Sequence, residues 1–398
     1  MCCSETGKML KHPIYLDYNA TTPCDPAVVE AMLPYFNTAF GNAASRSHSF
    51  GWVAEEAVTN AREQVAQLVG AEPNEIVFTS GATEAVNLAL KGAFEMYAGK
   101  GHHIITSCIE HKAVLDTCKH LEKKGAGITY LKVNEVGQPD LAELENAIRP
   151  DTILIAFMYA NNEIGTIMPI EKISAIAREK NVLFFSDATQ AVGKIPVDVN
   201  KDGIDIMAFS AHKMYGPKGV GALYVRRKNP RVKLTAQIDG GGHEKGMRSG
   251  TLNVPGIVGF GKACELSQQT MNADSERLGQ LRDKLQAALL QMEATNVNGD
   301  RDNRLPHVTN ISFGFTEGDG LLTSITKKIA VSSGSACTSA SMEPSYVLKA
   351  MGLSDDLAHS SIRFSLGRFT TKEEIDFAIE EIGQAVSKLR EMNSNLKI

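Results

Sequence analysis

Between residues 75 and 225, short apolar runs alternate with amphipathic stretches, and this alternation restricts the chain more than any other feature. Runs such as Leu183-Phe184-Phe185 and Ile206 to Phe209 carry no polar face, which suits strands covered on both sides. The spacing predicts strands over 75–80, 103–107, 128–133, 152–159, 182–186, 204–209 and 220–225. Helices are predicted over 83–97, 112–124, 140–148 and 169–180. Strands and helices in alternation build a mostly parallel, doubly wound sheet. The loops leaving the carboxyl ends of its strands should converge on one crevice.

Those loops hold the polar residues. Glu110-His111 follows one strand, Asn161-Asn162-Glu163 another, Asp187-Ala188-Thr189-Gln190 a third, and Ser210-Ala211-His212-Lys213 a fourth. Each alone fits a cap, a turn or a satisfied surface group, and a lysine usually lies with its stem over a sheet edge. The turn at Ser80-Gly81-Ala82-Thr83 puts small residues at a helix start, where unpaired N–H groups attract an anion or Thr83 acts as a plain cap. Taken together they match what a pyridine aldehyde phosphate needs. Lys213 can bond the aldehyde, Asp187 can keep the ring nitrogen protonated, Gln190 can reach the ring hydroxyl and an imidazole can stack on the ring.

Composition narrows the alternatives. The 398 residues suffice for one large domain and a smaller one, and a net charge of -5 gives no support to nucleic-acid binding. No apolar stretch approaches the roughly 20 residues of a membrane span. Residues 1–12 lack both a signal-peptide core and an arginine-rich amphipathic pattern, so a cytoplasmic protein is expected. The seven cysteines form no CxxC pair, which favours reduced thiols over a disulfide framework or structural zinc.

Outside the alternating region the signals are sparser. Trp52 to Val69 has helical spacing with Val53, Ala57, Ala61, Val65 and Leu68 on one stripe. Gly240 to Thr251 is a glycine-dense loop suited to close backbone approach or a mobile cover. Leu278, Leu281, Leu285 and Leu289 mark a long amphipathic helix, and strands are expected near 310–313 and 362–365. The last helix opens with Thr371 and Glu374 as a capping box and aligns Ile375, Ile379, Ile382, Val386 and Leu389. These elements read as a second, smaller α+β domain. Cys337 sits among Gly, Ser, Thr and Ala, a setting that cannot pack tightly, so an exposed, mobile loop with a nucleophilic thiol is expected.

The stretches Tyr15 to Pro23, Ser80 to Glu84, Glu110 to Val114, Asn161 to Gly165, Asp187 to Gln190, Ser210 to Lys213, Gly240 to Thr251, Ser332 to Ser341 and Ser361 to Thr371 resemble the signatures of pyridoxal phosphate-dependent cysteine desulfurases of the IscS/NifS type. The similarity covers Pro13 to about Arg390, in order. It implies fold type I, with a large cofactor-binding α/β domain over 13–265. A small α+β domain over 266–398 would carry the cysteine loop, with residues 1–20 packing on it. It also implies a homodimer that converts L-cysteine to L-alanine and leaves sulfur as a persulfide.

By position, Lys213 matches the Schiff-base lysine, His111 the ring-stacking acid/base, Asp187 the ring-nitrogen partner and Gln190 the ring-hydroxyl contact. Ala82, Thr83, Ser210 and His212 match phosphate contacts, and Thr251 matches one that reaches across from the other subunit. Asn162 and Arg363 match cofactor and substrate-carboxylate contacts. Cys337 matches the sulfur acceptor and a transient [2Fe-2S] ligand shared with an iron-sulfur scaffold protein. Sulfur then passes to that scaffold or to acceptors that thiolate tRNA and cofactors. Family members continue past the last helix in a scaffold-docking tail that Glu391 to Ile398 do not match, and a short tail fits other sulfur acceptors.

A selenocysteine lyase or other C–S lyase on the same fold is the nearest enzymatic rival, distinguished by its having no need of a mobile thiol. A non-catalytic scaffold is the rival of another class. It is disfavoured by the presence together of Lys213, Asp187, His111 and Cys337.

Overall fold

The computed structural model describes residues 10–316, 318–333 and 343–395. After β1 (Ile14–Tyr15), the alternating region forms β2 (Ile76–Thr79), β3 (His103–Ser107), β4 (Gly127–Leu131), β5 (Thr152–Ala156), β6 (Leu183–Asp187), β7 (Ile206–Ser210) and β8 (Gly221–Val225). These make a seven-stranded sheet in the order β2-β8-β7-β6-β5-β3-β4. Only β8 runs against the others. The short connection from Ser210 to Gly221 cannot hold a parallel crossover, which needs a dozen residues or more.

Both sheet faces are covered, as the unbroken apolar runs require. Ile155, Phe184, Met207 and Phe209 point to one side, into a core shared with Ala54, Ala57, Val58, Ala61 and Val65 of the Ser49–Leu68 helix. Leu154, Phe185, Ile206 and Ala208 point to the other, against Val86, Leu90 and Val114 of the Ala82–Met96 and Lys112–Glu122 helices. Each buried large side chain contributes about 1.5–3 kcal/mol.

The Ser49–Leu68 helix departs from its expected stripe. Ala54 and Val58 are buried where Val53 was expected, and Val53 is 45% exposed. The contact partner decides this. The helix lies against the Val254–Leu289 helix, where a Cβ on Gly261 would come within 2.7 Å of Ala61 Cα. Such close approach selects the small-residue face over the bulkier one.

The Val254–Leu289 helix starts well before the leucine spacing that predicts it, and Gly256, Gly259, Gly261 and Ala263 share its buried face at the beginning with Val254, Ile257, Phe260 and Cys264. It runs unbroken through residues 265 and 266. Beyond it, β9 (Thr295–Asn298), β10 (Val308–Phe313), β11 (Ile329–Ala330), β12 (Ser332–Ser333) and β13 (Ser361–Ser365) follow. An antiparallel sheet has the order β12-β13-β10-β9, and β1 pairs in parallel with β11. Ile14 and Leu16 join a third core with Leu278, Leu285, Phe313, Phe364 and Ile382.

The Lys372–Asn395 helix opens on the expected capping box. Thr371 N donates to Glu374 Oε2 at 2.9 Å and Glu374 N to Thr371 Oγ1 at 3.2 Å. Among the described residues, no helix is long and apolar enough to cross a membrane.

Candidate active site

The carboxyl ends of the parallel strands open onto a cavity of about 670 Å³. Lys213 follows β7 on a single 3-10 turn, Ala211–Lys213, and Asp187 is the last residue of β6. His111 follows β3 and caps the Lys112–Glu122 helix, its Nδ1 accepting from Ala113 N at 3.1 Å. The neutral ring therefore carries its proton on Nε2. Asn162 comes from the loop after β5, Gln190 from the turn after β6, and Arg363 from β13 in the antiparallel sheet.

All of these line the cavity, together with Ala82, Thr83, Ser210 and His212. Thr251 is exposed and does not line it. Cys337 lies outside the described residues, as do the flanking loop residues 334–342.

Local geometry makes one end of this cavity an anion cradle. The Ala82–Met96 helix begins on Gly81, which provides no side-chain cap, so its first N–H groups have no such partner. Thr83 lies inside the first turn and is not the plain cap that its sequence position also allowed. Gly81 has φ +155°, and a Cβ on Gly221 would meet Gly81 Cα at 2.7 Å. Gly221 therefore needs to be glycine for β8 to pass beneath the turn, and Gly81 for its backbone angle. The Ser210 hydroxyl is beside it, 3.9 Å from where a Gly81 Cβ would stand.

Charge is arranged in keeping with this. Burial first, and then Lys213, Lys218 and Lys194, push the His212 imidazole down to about 4, so it is neutral at pH 7. Its Nδ1 lies 3.1 Å from Thr21 Oγ1. Lys213 Nζ donates to the carbonyl oxygens of Asn19 and, at 2.8 Å, Ala20. Arg363 donates to Asp17 Oδ1 at 2.7 Å and to the Asn162 carbonyl oxygen at 3.0 Å. Asp187 Oδ1 accepts from Thr189 N at 3.0 Å.

The residues fit pyridoxal phosphate on two further observations. Asn162 Oδ1 and Thr189 Oγ1 are buried polar atoms of cavity-lining residues without a hydrogen-bond partner among the described residues, a state that a polar occupant relieves. The donor set also divides correctly, with an uncapped helix start at one end and a carboxylate and an amine elsewhere along the wall. Among the described residues, no group of three or more His, Cys, Asp or Glu could hold a metal ion.

Asn19 is the site residue that strand-end reasoning does not reach. Its carbonyl accepts from both Lys213 and Gln190, the latter at 3.1 Å, and its amide donates to the Asn162 carbonyl oxygen at 3.0 Å. It lies in the Tyr15 to Pro23 stretch, but no periodicity distinguishes it there.

Residues 14–377 match the family model described as Aminotransferase class-V. A curated cysteine desulfurase IscS of Anaeromyxobacter dehalogenans is 59% identical over 385 residues, covering 96% of this chain and 95% of its own. A solved NifS-like protein superposes with a TM-score of 0.88 at 38% identity, over 95% of this chain and all of that one. A structure described as SspA in complex with cysteine gives 0.80 at 39% identity, over 90% of this chain and all of that one. Carrying the same fold over nearly its whole length, the chain belongs to the class-V aminotransferase family and, within it, to the pyridoxal phosphate-dependent cysteine desulfurases of the IscS/NifS type.

Proposed function

We propose that this chain converts L-cysteine to L-alanine and receives the sulfur on Cys337, so that L-cysteine and a thiol give L-alanine and a persulfide. The observation that carries this reading is the convergence of Lys213, Asp187, Gln190 and His111 on one cavity beside an uncapped helix start. Pyridoxal phosphate, when bound, supplies an aldehyde for amino groups and a ring that withdraws electrons from the bonds at Cα.

The chain's own residues do the rest. Asp187 would hold the ring nitrogen, Gln190 the ring hydroxyl, and Ala82, Thr83, Ser210 and His212 the phosphate. Asn162 and Arg363 hold the substrate carboxylate, for which Arg363 offers a rigid two-pronged donor. Lys213 Nζ takes the Cα proton, with the Asn19 and Ala20 carbonyls holding the amine. The Cys337 thiolate forms the S–S bond with the substrate sulfur as the C–S bond breaks. His111 exchanges the thiol proton. As placed, Nε2 carries the ring proton and Nδ1 accepts from Ala113 N, so the ring takes the thiol proton at Nδ1 once that cap is released and gives it back as imidazolium.

The finer readings concern partners and organisation. Phe36, Phe40, Phe50 and Trp52 are each more than half exposed, and the Phe40 and Phe50 rings meet at 5.3 Å. This apolar patch supports a homodimer, in which the exposed Thr251 would serve the other copy's phosphate. The third core, which gathers Ile14 with residues from 278 onward, supports a small domain over 266–398 with residues 1–20 packed on it, beside a large domain over 13–265. An iron-sulfur scaffold as acceptor, with Cys337 as a transient ligand of the assembling cluster, follows from the family. Among the described residues, Cys24, Cys108, Cys118 and Cys264 sit in no disulfide, which supports a cytoplasmic setting.

The test is to incubate the holoenzyme with L-cysteine and measure alanine and protein persulfide. Cys337→Ser should abolish persulfide formation while the cofactor's absorbance stays. Full sulfur transfer by that variant would overturn the assignment and favour a lyase that releases sulfur directly.

A further inference from the structure

Behind the cavity lies a lysine to which the reaction as read above gives no part. Lys194 does not line the cavity, yet its Nζ donates to Gln190 Oε1 at 2.9 Å and to Asn19 Oδ1 at 3.4 Å. His307 Nε2 lies 2.9 Å from the same Asn19 oxygen. Gln190 Nε2 donates to the Asn19 carbonyl at 3.1 Å. The Gln190 amide is thus held from both sides. Turned over, it would put an NH2 against the Lys194 amine and a carbonyl against the Asn19 carbonyl, losing both hydrogen bonds.

We propose that Lys194 is a positioning residue, which fixes the Gln190 amide so that it can meet the bound cofactor's ring hydroxyl only as a hydrogen-bond donor. An amide has two N–H groups, and Asn19 takes one. The second remains for the cavity that Gln190 lines. A donor stabilises the ionised form of the hydroxyl it meets, whereas an acceptor would stabilise the protonated form. The orientation of one buried amide therefore sets the charge at one edge of the ring.

Desolvation above all, and then Lys213 and Arg363, hold the Lys194 amine well below the ordinary lysine range. Burial, followed by Lys194, Arg282 and Arg363, does the same to His307. The donor role rests on the geometry: the amine faces two acceptor oxygens, Gln190 Oε1 and Asn19 Oδ1, and an ammonium has no lone pair to take an N–H from a turned-over amide.

The experiment titrates the visible absorbance of the resting holoenzyme with pH. Lys194→Met is expected to raise the midpoint by about one unit, a tenfold change in the ionisation equilibrium. Gln190→Ala should raise it at least as far, and in the Gln190→Ala background Lys194→Met should add less than about 0.3 unit, since its effect passes through that amide. An unmoved midpoint in Lys194→Met, or an equal shift in both backgrounds, overturns the proposal.

Lys194→Gln retains a donor and is expected to keep the wild-type midpoint. If Lys194→Met does not accumulate as folded protein, Lys194→Gln decides alone. A shift below half that of Gln190→Ala supports the proposal, and a larger one overturns it. The inference rests on the reading of the cavity as the pyridoxal phosphate site. Wild-type protein without a visible band would refute that reading, whereas a normal band that ignores Lys194 would refute only this inference.

Discussion

The glycine-rich loop over 240–251 is held by a buried ion pair whose removal should be costly. Glu244, with only 2% of its side chain exposed, accepts from Arg62 at 2.7 and 2.8 Å and from Phe78 N at 2.8 Å. Arg62 also donates to the Ile76 carbonyl at 2.8 Å and stacks 4.6 Å over the Phe78 ring. Glu244→Ala strands the Arg62 charge and the Phe78 N–H of β2 together. Breaking a buried pair from one side costs about 3–5 kcal/mol.

Alanine at φ +49° keeps the backbone strain that glutamate already carries, so no relief offsets the loss. At about 2 °C per kcal/mol for a chain of this size, the thermal midpoint should fall by about 6–10 °C. The assay is thermal unfolding followed by far-ultraviolet circular dichroism. The double variant Arg62→Met, Glu244→Leu should recover more than half of the loss, because no charge is then left unpaired. A fall below about 2 °C in the single variant, or a double variant worse than the single, would refute the reasoning.

Two further outcomes follow from other sites. Lys213→Ala should remove the visible absorbance of the purified protein, and a band that persists would sink the assignment of that amine. Glu110 is raised to about 8 by burial, against the Ser107 and Met158 hydrogen bonds and with Asp187 adding to the rise, and its Oε2 has no hydrogen-bond partner among the described residues. Its folded-state affinity for a proton exceeds the unfolded one, so it lowers stability as pH rises from about 4.5 to about 8. Glu110→Gln should flatten the decline of the unfolding midpoint with pH across that window, and an unchanged slope would show that the carboxyl is not the source.

Much of the site was legible because the signals that place it are local. Apolar runs with no polar face could only be strands buried on both sides, and right-handed crossovers bring their carboxyl ends together. His111, Asp187, Gln190 and Lys213 therefore share a cavity by the logic of the sheet. The beginning of the Val254–Leu289 helix was not read, because Gly256, Gly259 and Gly261 interrupt the face that Val254, Ile257, Phe260 and Cys264 bury, while Gly261 permits the close contact with Ala61. Arg363 carried no local signal either and was placed only by resemblance, for it arrives on β13 of a different sheet. Lys194 carried no sequence signal: its amine meets Gln190 one turn away and Asn19, which is distant in sequence.

These non-local placements have a common origin in the segment over 17–25. Asp17 holds Arg363 at 2.7 Å, and Asn19 N donates to Ser365 Oγ at 2.9 Å, both on β13. A few residues later Thr22 N donates to the His212 carbonyl at 3.0 Å, and Thr22 Oγ1 accepts from Tyr215 N at 2.8 Å. The segment is therefore hydrogen-bonded to the strand that supplies the arginine and to the turn that supplies the lysine. Between those anchors Asn19 touches Lys213, Gln190 and Asn162 directly. A shift of β13 relative to the large sheet would thus reach the amine through a few hydrogen bonds. The spacing of Lys213 from Arg363 is fixed by this seam, and neither sheet alone sets it.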